Sequence, residues 1–252
     1  MDFSIIIPSF NQEKFIGSTM ENVTQLKKLA AKKNISVEIL LIDSESNTAV
    51  QEQISKYRSD LDYVDTRKDK GQYDAINKGL EVCKGTYWTW LNTDDHIDLD
   101  GFFKLAEMLK SDSTIDYIYG GIHYMDTNDK VLSLVKAKQL TLKELVNKTP
   151  GIYQPGSFFK KSFTDKIGFL KPYRCCFDYE YILRCLSFNA KFVCCEFPVS
   201  RFRYYSDSKT GSLIPIFIRE QLDISSDYGR SYFSFLTWFS HLRLLKHKLF
   251  QR

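Results

Sequence analysis

The amino-acid sequence predicts an α/β fold, with a Rossmann-like mixed sheet flanked by helices and a C-terminal amphipathic helical tail. Two observations support this prediction. Short apolar runs alternate with helix-length amphipathic segments over the first 120 residues, which is typical of βαβ units and a parallel sheet. Beyond Asp116 strands and short helices are mixed, with Thr127, Asn128 and Asp129 as the turn of a hairpin.

The predicted elements follow the periodicity of the apolar residues. Short β-branched or aromatic runs predict strands, and apolar residues that recur every three or four positions predict helices. The strands predicted in the first half cover 3–10, 37–43, 61–66 and 86–91, and the helices cover 15–31, 51–58, 72–85 and 100–112. In the second half, "KFVCCEF" (191–197) is a predicted strand.

The chain divides into one domain and a tail. Residues 1–210 form the predicted domain, in which 1–120 look like a nucleotide-binding half and 121–210 look like an acceptor-binding half. Residues 211–252 form a C-terminal helical extension. No internal repeat or low-complexity linker interrupts the chain, and 252 residues are enough for one large α/β domain.

Composition narrows the classes of function. Apolar residues make up 43% and charged residues 26%, as in ordinary folded soluble proteins. A net charge of +4 is too small to indicate nucleic-acid binding. The chain has no run of 18 apolar residues and no signal-peptide pattern, so we expect no membrane span and a cytoplasmic protein. The six cysteines form no metal-binding pattern and are expected to be reduced thiols.

Polar side chains follow each of the first four predicted strands. Ligands of a parallel sheet bind outside the carboxyl ends of its strands, and an acid after the second strand is well placed to accept hydrogen bonds from a ribose or a base. The residues at these ends are Pro8, Ser9, Phe10, Asn11, then Asp43, then 67–74, and finally Asn92, Thr93, Asp94 and Asp95. Neither a G-x-G-x-x-G nor a P-loop motif is present.

The adjacent acids Asp94 and Asp95 form a candidate cation site. Two like charges about 4 Å apart repel by roughly 4 kcal/mol at an effective dielectric near 20. A divalent cation removes that repulsion, and carboxylate oxygens suit Mg²⁺ or Mn²⁺. Taken alone, the pair is only a weak signal for a metal, and the alternative is that Asp94 and Asp95 cap the helix near Asp100 or lie in solvent.

Several motifs, in this order, resemble the family-2 glycosyltransferases. They are "SIIIPSFNQEKFI", "ILLIDSES", "DKGQYDAINKGLEVCKGTYWTWLNTDD" and "CCFDYEYILRC". The resemblance covers about residues 3 to 210, and its most specific part is the block from Asp69 to Asp95. It implies a GT-A fold, a nucleotide-sugar donor and inverting sugar transfer assisted by a divalent cation, Mn²⁺ or Mg²⁺.

The resemblance also implies the donor-side residues. Asp95 would be the direct metal ligand, and Asp94 would contact both the metal and the ribose. Lys70 would lie near the diphosphate, or else be part of a solvated charged loop. The remaining residues implied on the nucleotide-sugar side are Pro8, Ser9, Phe10, Asn11, Asp43, Asp69, Gly71, Asp74 and Asn92.

Asp178 matches the general base of the family. A carboxylate opposite the diphosphate can take the proton of the attacking acceptor hydroxyl. Many members carry Glu immediately before this Asp, whereas this chain has Phe177. The alternative is that Asp178 only caps a helix, in which case Glu180 is the second candidate for the base.

Two further stretches resemble segments of the family. "YQPGSFFKKSF" would place Gln154 on the acceptor side. "RFRYYSDSKTGS" matches a segment with Arg203, Ser208, Lys209 and Thr210, but Tyr205 stands where a histidine is usual. Arg203 and Lys209 would neutralise the leaving diphosphate, or else contribute ordinary surface charge.

The C-terminal stretch "SYFSFLTWFSHLRLLKHKLFQR" predicts an amphipathic helix with an aromatic stripe and basic residues. Such a helix suits the surface of an anionic membrane, but it can also pack on the catalytic domain or on a second subunit of a homodimer.

The sequence therefore predicts a transferase that moves a sugar from a nucleoside diphosphate, UDP above all, to a glycan or lipid-linked acceptor. A metal-dependent nucleotidyltransferase and a non-catalytic nucleotide-sugar-binding module remain as alternatives.

Overall fold

The computed structural model describes residues 1–148, 152, 154–205 and 213–250, and of 248–250 it describes the backbone only. Nine strands lie within these ranges. They are β1 (Phe3–Ser9), β2 (Val37–Asp43), β3 (Tyr63–Asp65), β4 (Tyr87–Trp90), β5 (His96–Ile97), β6 (Tyr117–Met125), β7 (Val131–Val135), β8 (Ser157–Lys160) and β9 (Phe192–Arg203).

The same described ranges contain nine α-helices. They are α1 (Ile16–Lys32), α2 (Thr48–Lys56), α3 (Gln72–Val82), α4 (Leu99–Ser111), α5 (Leu142–Asn147), α6 (Lys161–Ile167), α7 (Phe177–Ser187), α8 (Ile214–Asp227) and α9 (Phe235–Phe250). None of these helices is long and apolar enough to cross a bilayer.

One mixed sheet carries the fold, with strand order β3-β2-β1-β4-β8-β6-β9-β5 and β7 paired to β6. Strands β1 to β4 are mutually parallel where they pair, as the alternation of strands and helices predicts. The second half adds antiparallel partners, because β8 runs against both β4 and β6. Because β1 to β4 run parallel, their carboxyl ends lie at one edge of the sheet.

Each face of the sheet is covered by its own apolar core. On one face, Ile5, Ile7 and Ile39 pack with residues of α1, α2 and α4. On the other face, an aromatic stack runs across the strands, with Trp90 and Phe159 centroids 5.9 Å apart and Tyr117 and Phe159 centroids 4.5 Å apart. This second core includes Ile224 of α8, so the first C-terminal helix packs on this face of the sheet.

The structure differs from the predicted elements mainly in the second half. Strand β9 extends to Arg203, well beyond the predicted 191–197. Its far end pairs with β5, where His96 lies opposite Arg201, and no periodicity in the sequence marks so short a strand. Asp98 then accepts a hydrogen bond from the backbone N–H of Gly101 at 3.1 Å and caps α4. The segment after Asp95 is thus a strand and a cap rather than a free loop.

Candidate functional site

A cleft of about 530 Å³ opens at the carboxyl ends of β1 to β4, where a parallel sheet is expected to bind its ligand. The sheet edge and α7 contribute to its wall. Ten of the residues expected at the site line it: Pro8, Ser9, Phe10, Asp69, Gly71, Asn92, Asp94, Gln154, Asp178 and Arg203. Lys209, with Ser208 and Thr210, lies outside the described residues.

Asn11 and Asp43 are expected to touch the nucleotide, but neither residue lines the cleft. The carboxylate of Asp43 is buried and accepts hydrogen bonds from the Ser46 N–H at 2.9 Å, the Ser46 hydroxyl at 2.6 Å and the Gln51 amide at 2.5 Å. Ser46 Oγ in turn accepts from the Asn11 N–H at 2.8 Å. These contacts fix the loops after β1 and β2, so both residues shape the wall rather than line it.

The loop before α3 is folded by its own acids. Asp69 Oδ1 accepts from the Gly71 N–H at 2.8 Å, and Asp74 Oδ2 accepts from the Lys70 N–H at 3.0 Å. Gly71 has a φ of 125°, which side chains rarely adopt. Lys70 and Asp74 do not line the cleft, contrary to expectation, and the lysine that does is Lys68.

The two acids after β4 have different surroundings. Asp94 lines the cleft, and its Oδ2 accepts a hydrogen bond from the Tyr205 hydroxyl at 2.9 Å. Asp95 is 1% exposed and accepts from the Arg203 N–H at 3.0 Å and from the Asn92 amide at 3.2 Å. Burial, and then the charge of Asp94, raises the pKa of Asp95.

Asp94, rather than Asp95, is therefore the acid that faces the cleft. The reason is the pairing of β5 with β9 immediately after the acids, which turns Asp95 toward the backbone of Arg203. The assignment of the direct metal ligand to Asp95 stays a prediction, although Asp94 is the acid of the pair that lines the cleft.

The cleft fits a divalent cation that is held jointly with a ligand. Within the described residues, no group of three or more His, Cys, Asp or Glu side chains comes together as a self-sufficient metal site. Mg²⁺ and similar ions are commonly bound by one or two carboxylates together with substrate phosphates and water. Asp94 supplies one such carboxylate.

Arg203 is buried and each nitrogen of its guanidinium donates a hydrogen bond to the protein. Its guanidinium donates to the Asp94 carbonyl at 2.8 Å, to the Asp126 carbonyl at 2.8 Å and to the carboxylate of Asp129. It also lies over the Phe15 ring at 4.3 Å from the centroid. These contacts join β9 to the β6–β7 hairpin and to α1, so the expected role in neutralising a diphosphate does not fit the guanidinium as placed.

Asp178 lies in the first turn of α7 and faces the cleft. Burial is the main cause that raises its pKa to about 6, and the charge of Glu220 adds to the rise. The cap position of α7 is Cys176, not Asp178. Glu180, the second candidate, is buried in ion pairs with Lys171 and Arg184 and does not line the cleft.

Some cleft residues were expected from the sequence and others were not. Gln154 was expected, and its amide donates to the Trp90 carbonyl at 2.8 Å. Gln72 was not assigned a role, yet its amide donates to Asn92 Oδ1 at 2.6 Å and links α3 to the segment that carries Asp94 and Asp95. Leu213 and Phe217 reach the cleft from the C-terminal part of the chain, where no motif indicated a contact.

Comparisons with known proteins agree with this architecture. The family model described as "Glycosyl transferase family 2" matches residues 4–168. A "PGL/p-HBAD biosynthesis glycosyltransferase" of Mycobacterium tuberculosis is 23% identical over 190 residues, which are 73% of this chain and 70% of the relative.

Two solved structures have a similar fold. A crystal structure of Staphylococcus aureus TarS 1–349 with UDP-GlcNAc has a TM-score of 0.69 at 16% identity, and the match covers 90% of this chain and 66% of TarS 1–349. The mannosyltransferase PcManGT of Pyrobaculum calidifontis, with GDP-Man and Mn²⁺, has a TM-score of 0.61 at 14% identity, covering 90% and 73%.

Proposed function

The chain belongs to glycosyl transferase family 2 and has the GT-A fold, and from this premise we propose that it transfers a hexosyl group from a UDP-sugar with inversion at the anomeric carbon. The acceptor is a hydroxyl of a glycan or of a lipid-linked saccharide in polysaccharide or glycoconjugate synthesis. Membership of this family argues against the nucleotidyltransferase alternative.

The donor half of the cleft supports this proposal. Phe10 is 59% exposed at the end of β1 and offers a ring for a nucleobase. Lys68 lines the same region and is a cation suited to a diphosphate. The choice of UDP rests on the TarS fragment, whose structure contains UDP-GlcNAc, whereas the mannosyltransferase structure contains GDP-Man.

A divalent cation would bind at Asp94. When bound, the cation would neutralise the charge that develops on the departing diphosphate. Burial, and then the charge of Asp94, raises the pKa of Tyr205, so its hydroxyl keeps its proton and donates to Asp94 Oδ2. This hydrogen bond restrains the rotation of the carboxylate and leaves its other oxygen for the cation.

Asp178 would act as the general base. Because its pKa is raised to about 6, it is ionised at neutral pH and basic enough to accept the proton of the acceptor hydroxyl. That hydroxyl attacks the anomeric carbon while the bond to the diphosphate breaks on the opposite side, so the configuration inverts. Gln154, Leu213 and Phe217 also line the cleft and would contact the acceptor.

One observation carries the proposal: Asp94 and Asp178, from distant parts of the sequence, open onto the same cleft. Neither carboxylate forms an ion pair within the part of the chain that the structure describes, although both are partly buried. Partly buried carboxylates without a partner cation are costly to a fold and typical of functional sites.

The test is donor binding followed by turnover. Nucleotide sugars are first screened by thermal shift with and without Mn²⁺, because a ligand of the folded state raises the melting temperature. Release of UDP is then measured for the wild type, Asp94→Ala and Asp178→Asn, with the exposed Asp100→Asn as the matched control. We expect both cleft variants to lose at least a hundredfold in turnover and the control to lose nothing.

Two other outcomes would contradict the proposal. Release of pyrophosphate instead of a nucleoside diphosphate would indicate nucleotidyl transfer. Tight donor binding with no turnover in any acceptor or hydrolysis assay would indicate a non-catalytic binding module.

A further inference from the structure

Helix α9 turns its more apolar face away from the protein. The face that packs on the domain carries Leu236, Thr237 and Ser240, all buried. The opposite face carries Phe235, Trp238 and Leu245, which are 54%, 66% and 56% exposed. At about 100° per residue, these three lie within about 80° of the helix circumference. A helix that only stabilised the fold would point the larger apolar side chains inward.

The segment before α9 extends the same surface. Tyr232 and Phe233 are 79% and 93% exposed, and their rings pack edge to face with centroids 5.5 Å apart. We call the exposed set Tyr232, Phe233, Phe235, Trp238 and Leu245 the aromatic ridge. Isolated exposed apolar residues are common, but several large ones within one short segment indicate an interaction surface.

The C-terminal segment that carries this ridge also carries the net charge of the chain. Of the 35 Lys and Arg residues, four lie within 231–252, and the remaining 31 equal the 31 acidic residues, all of which lie upstream. The last 22 residues therefore carry the whole net charge of +4 and no acid at all. Lys246 is exposed, and the helical repeat places it on the same side of α9 as Phe235, about three turns further along.

This combination identifies the partner by its chemistry. Exposed aromatic rings favour the boundary between lipid headgroups and acyl chains, and Lys and Arg beside them attract anionic lipids. A second copy of the chain would bring two acid-free, positively charged segments together, which is unfavourable. We propose that the aromatic ridge, together with Lys246, binds the surface of an anionic lipid bilayer, with α9 lying in the plane of the interface.

The ridge is connected to the cleft through one helix. Helix α9 packs against α8, and α8 contributes Phe217 to the cleft wall. Lipid binding at α9 would therefore hold the cleft close to the bilayer surface. The inference does not depend on sugar transfer, since it rests only on exposure and charge.

The experiment is flotation of the full-length protein with lipid vesicles. Vesicles of phosphatidylcholine alone are compared with vesicles that also contain phosphatidylglycerol, at low and at raised salt. We expect binding to the anionic vesicles, weakened by salt, and little binding to the neutral ones. Lys246→Gln should weaken binding about fivefold, the value expected for one basic residue near an anionic surface.

The ridge is tested with Phe233→Ser and Trp238→Ser. Phe188→Ser is the matched control, because Phe188 is also an exposed aromatic residue, at 50%, but follows α7 instead. We expect each ridge variant to lose at least tenfold in binding while its melting temperature and its binding of UDP remain those of the wild type. The control should bind vesicles like the wild type.

Three results would overturn the inference. They are equal binding to neutral and anionic vesicles, no binding to either, and self-association in lipid-free buffer that Trp238→Ser abolishes. The last result, measured by sedimentation, would show that the ridge is an interface between copies of the chain.

Discussion

Oε2 of Glu220 accepts a hydrogen bond from the backbone N–H of Cys176 at 3.0 Å, so a residue of α8 holds the segment that leads into the helix that carries Asp178. The same carboxylate accepts from the N–H groups of Arg174 and Cys175, each at 2.8 Å. A carboxylate at a helix N-terminus is favourable for the helix dipole. Glu220 is thus a positioning residue that fixes the first turn of α7 and, through its charge, adds to the raised pKa of Asp178.

Replacing this charge should move the pH profile of the reaction. In Glu220→Gln the negative charge near Asp178 is gone, so the pKa of Asp178 falls and the base stays ionised at lower pH. The acid limb of the kcat/KM profile should move to lower pH by less than one unit, because burial is the larger cause of the raised pKa. The profile is measured between pH 4.5 and about 8, a range that spans the raised pKa.

Glu196→Gln is the control for this variant, because Glu196 is an exposed acid on β9. Its acid limb should coincide with that of the wild type. A Glu220→Gln enzyme that loses turnover equally at every pH would show that Glu220 acts only on the structure.

Asp178→Asn should be less active but more stable. The folded-state pKa of about 6 lies above the usual value of 3.8 for an aspartate, so ionisation of Asp178 destabilises the folded protein as pH rises through 6. The amide removes that cost, and the free energy of unfolding at pH 7.5 should rise by about 1–2 kcal/mol. Urea unfolding at pH 7.5 and near pH 4 checks this, since the gain should disappear at the lower pH, and a gain of the same size at both would contradict it.

Asp94→Asn and Asp95→Asn should separate ligand binding from stability. The Asp94 variant should lose the increase in UDP affinity that Mn²⁺ produces, at nearly unchanged melting temperature. The buried Asp95 accepts a hydrogen bond from the Arg203 backbone, so Asp95→Ala should lower the free energy of unfolding by about 1–3 kcal/mol. Asp95→Asn is the milder change and should lower it by less. Calorimetric titration and thermal unfolding of the three variants are the measurements. Loss of the Mn²⁺ effect in the Asp95 variants but not in the Asp94 variant would show that Asp95 is the metal ligand.

Tyr205→Phe should weaken the dependence on the cation without removing it. The variant keeps the ring, whose centroid lies 5.2 Å from that of Phe15, but loses the hydroxyl that donates to Asp94. We expect the Mn²⁺ concentration needed for half-maximal turnover to rise about three- to tenfold, because one hydrogen bond to a charged group contributes about 1 kcal/mol or somewhat more. An unchanged Mn²⁺ dependence would show that the hydrogen bond does not orient Asp94.

The parallel half of the fold could be predicted because its strands are buried on both faces. Strand β2 begins at Val37 and ends at Asp43 in both prediction and structure, since an unbroken apolar run ends there in an acid. The mixed half was harder, because a strand of two residues such as β5 has no periodicity. Its partner lies about a hundred residues further along the chain, and such pairings are decided by tertiary packing.

The residues at the site were located better than their orientations. The strand ends showed where a ligand would bind, and Asp94, Asp178 and Gln154 do line the cleft. Which of two adjacent acids faces the cleft depends on the β5–β9 pairing, and the engagement of Arg203 with Asp129 depends on the position of a hairpin. Contacts of that kind join segments far apart in sequence and leave no local pattern.

The strand order has a consequence for synthesis on the ribosome. Strands β1 to β4 can pair as soon as residue 90 has emerged, but β4 then presents an open edge until Ser157–Lys160 arrive to pair with it. An open strand edge, with unpaired backbone groups and apolar, aromatic side chains, is a site where chains pair with one another. A nascent chain halted between β4 and β8 should therefore require a chaperone, and shortened proteins that end in this interval should aggregate instead of forming a smaller stable domain.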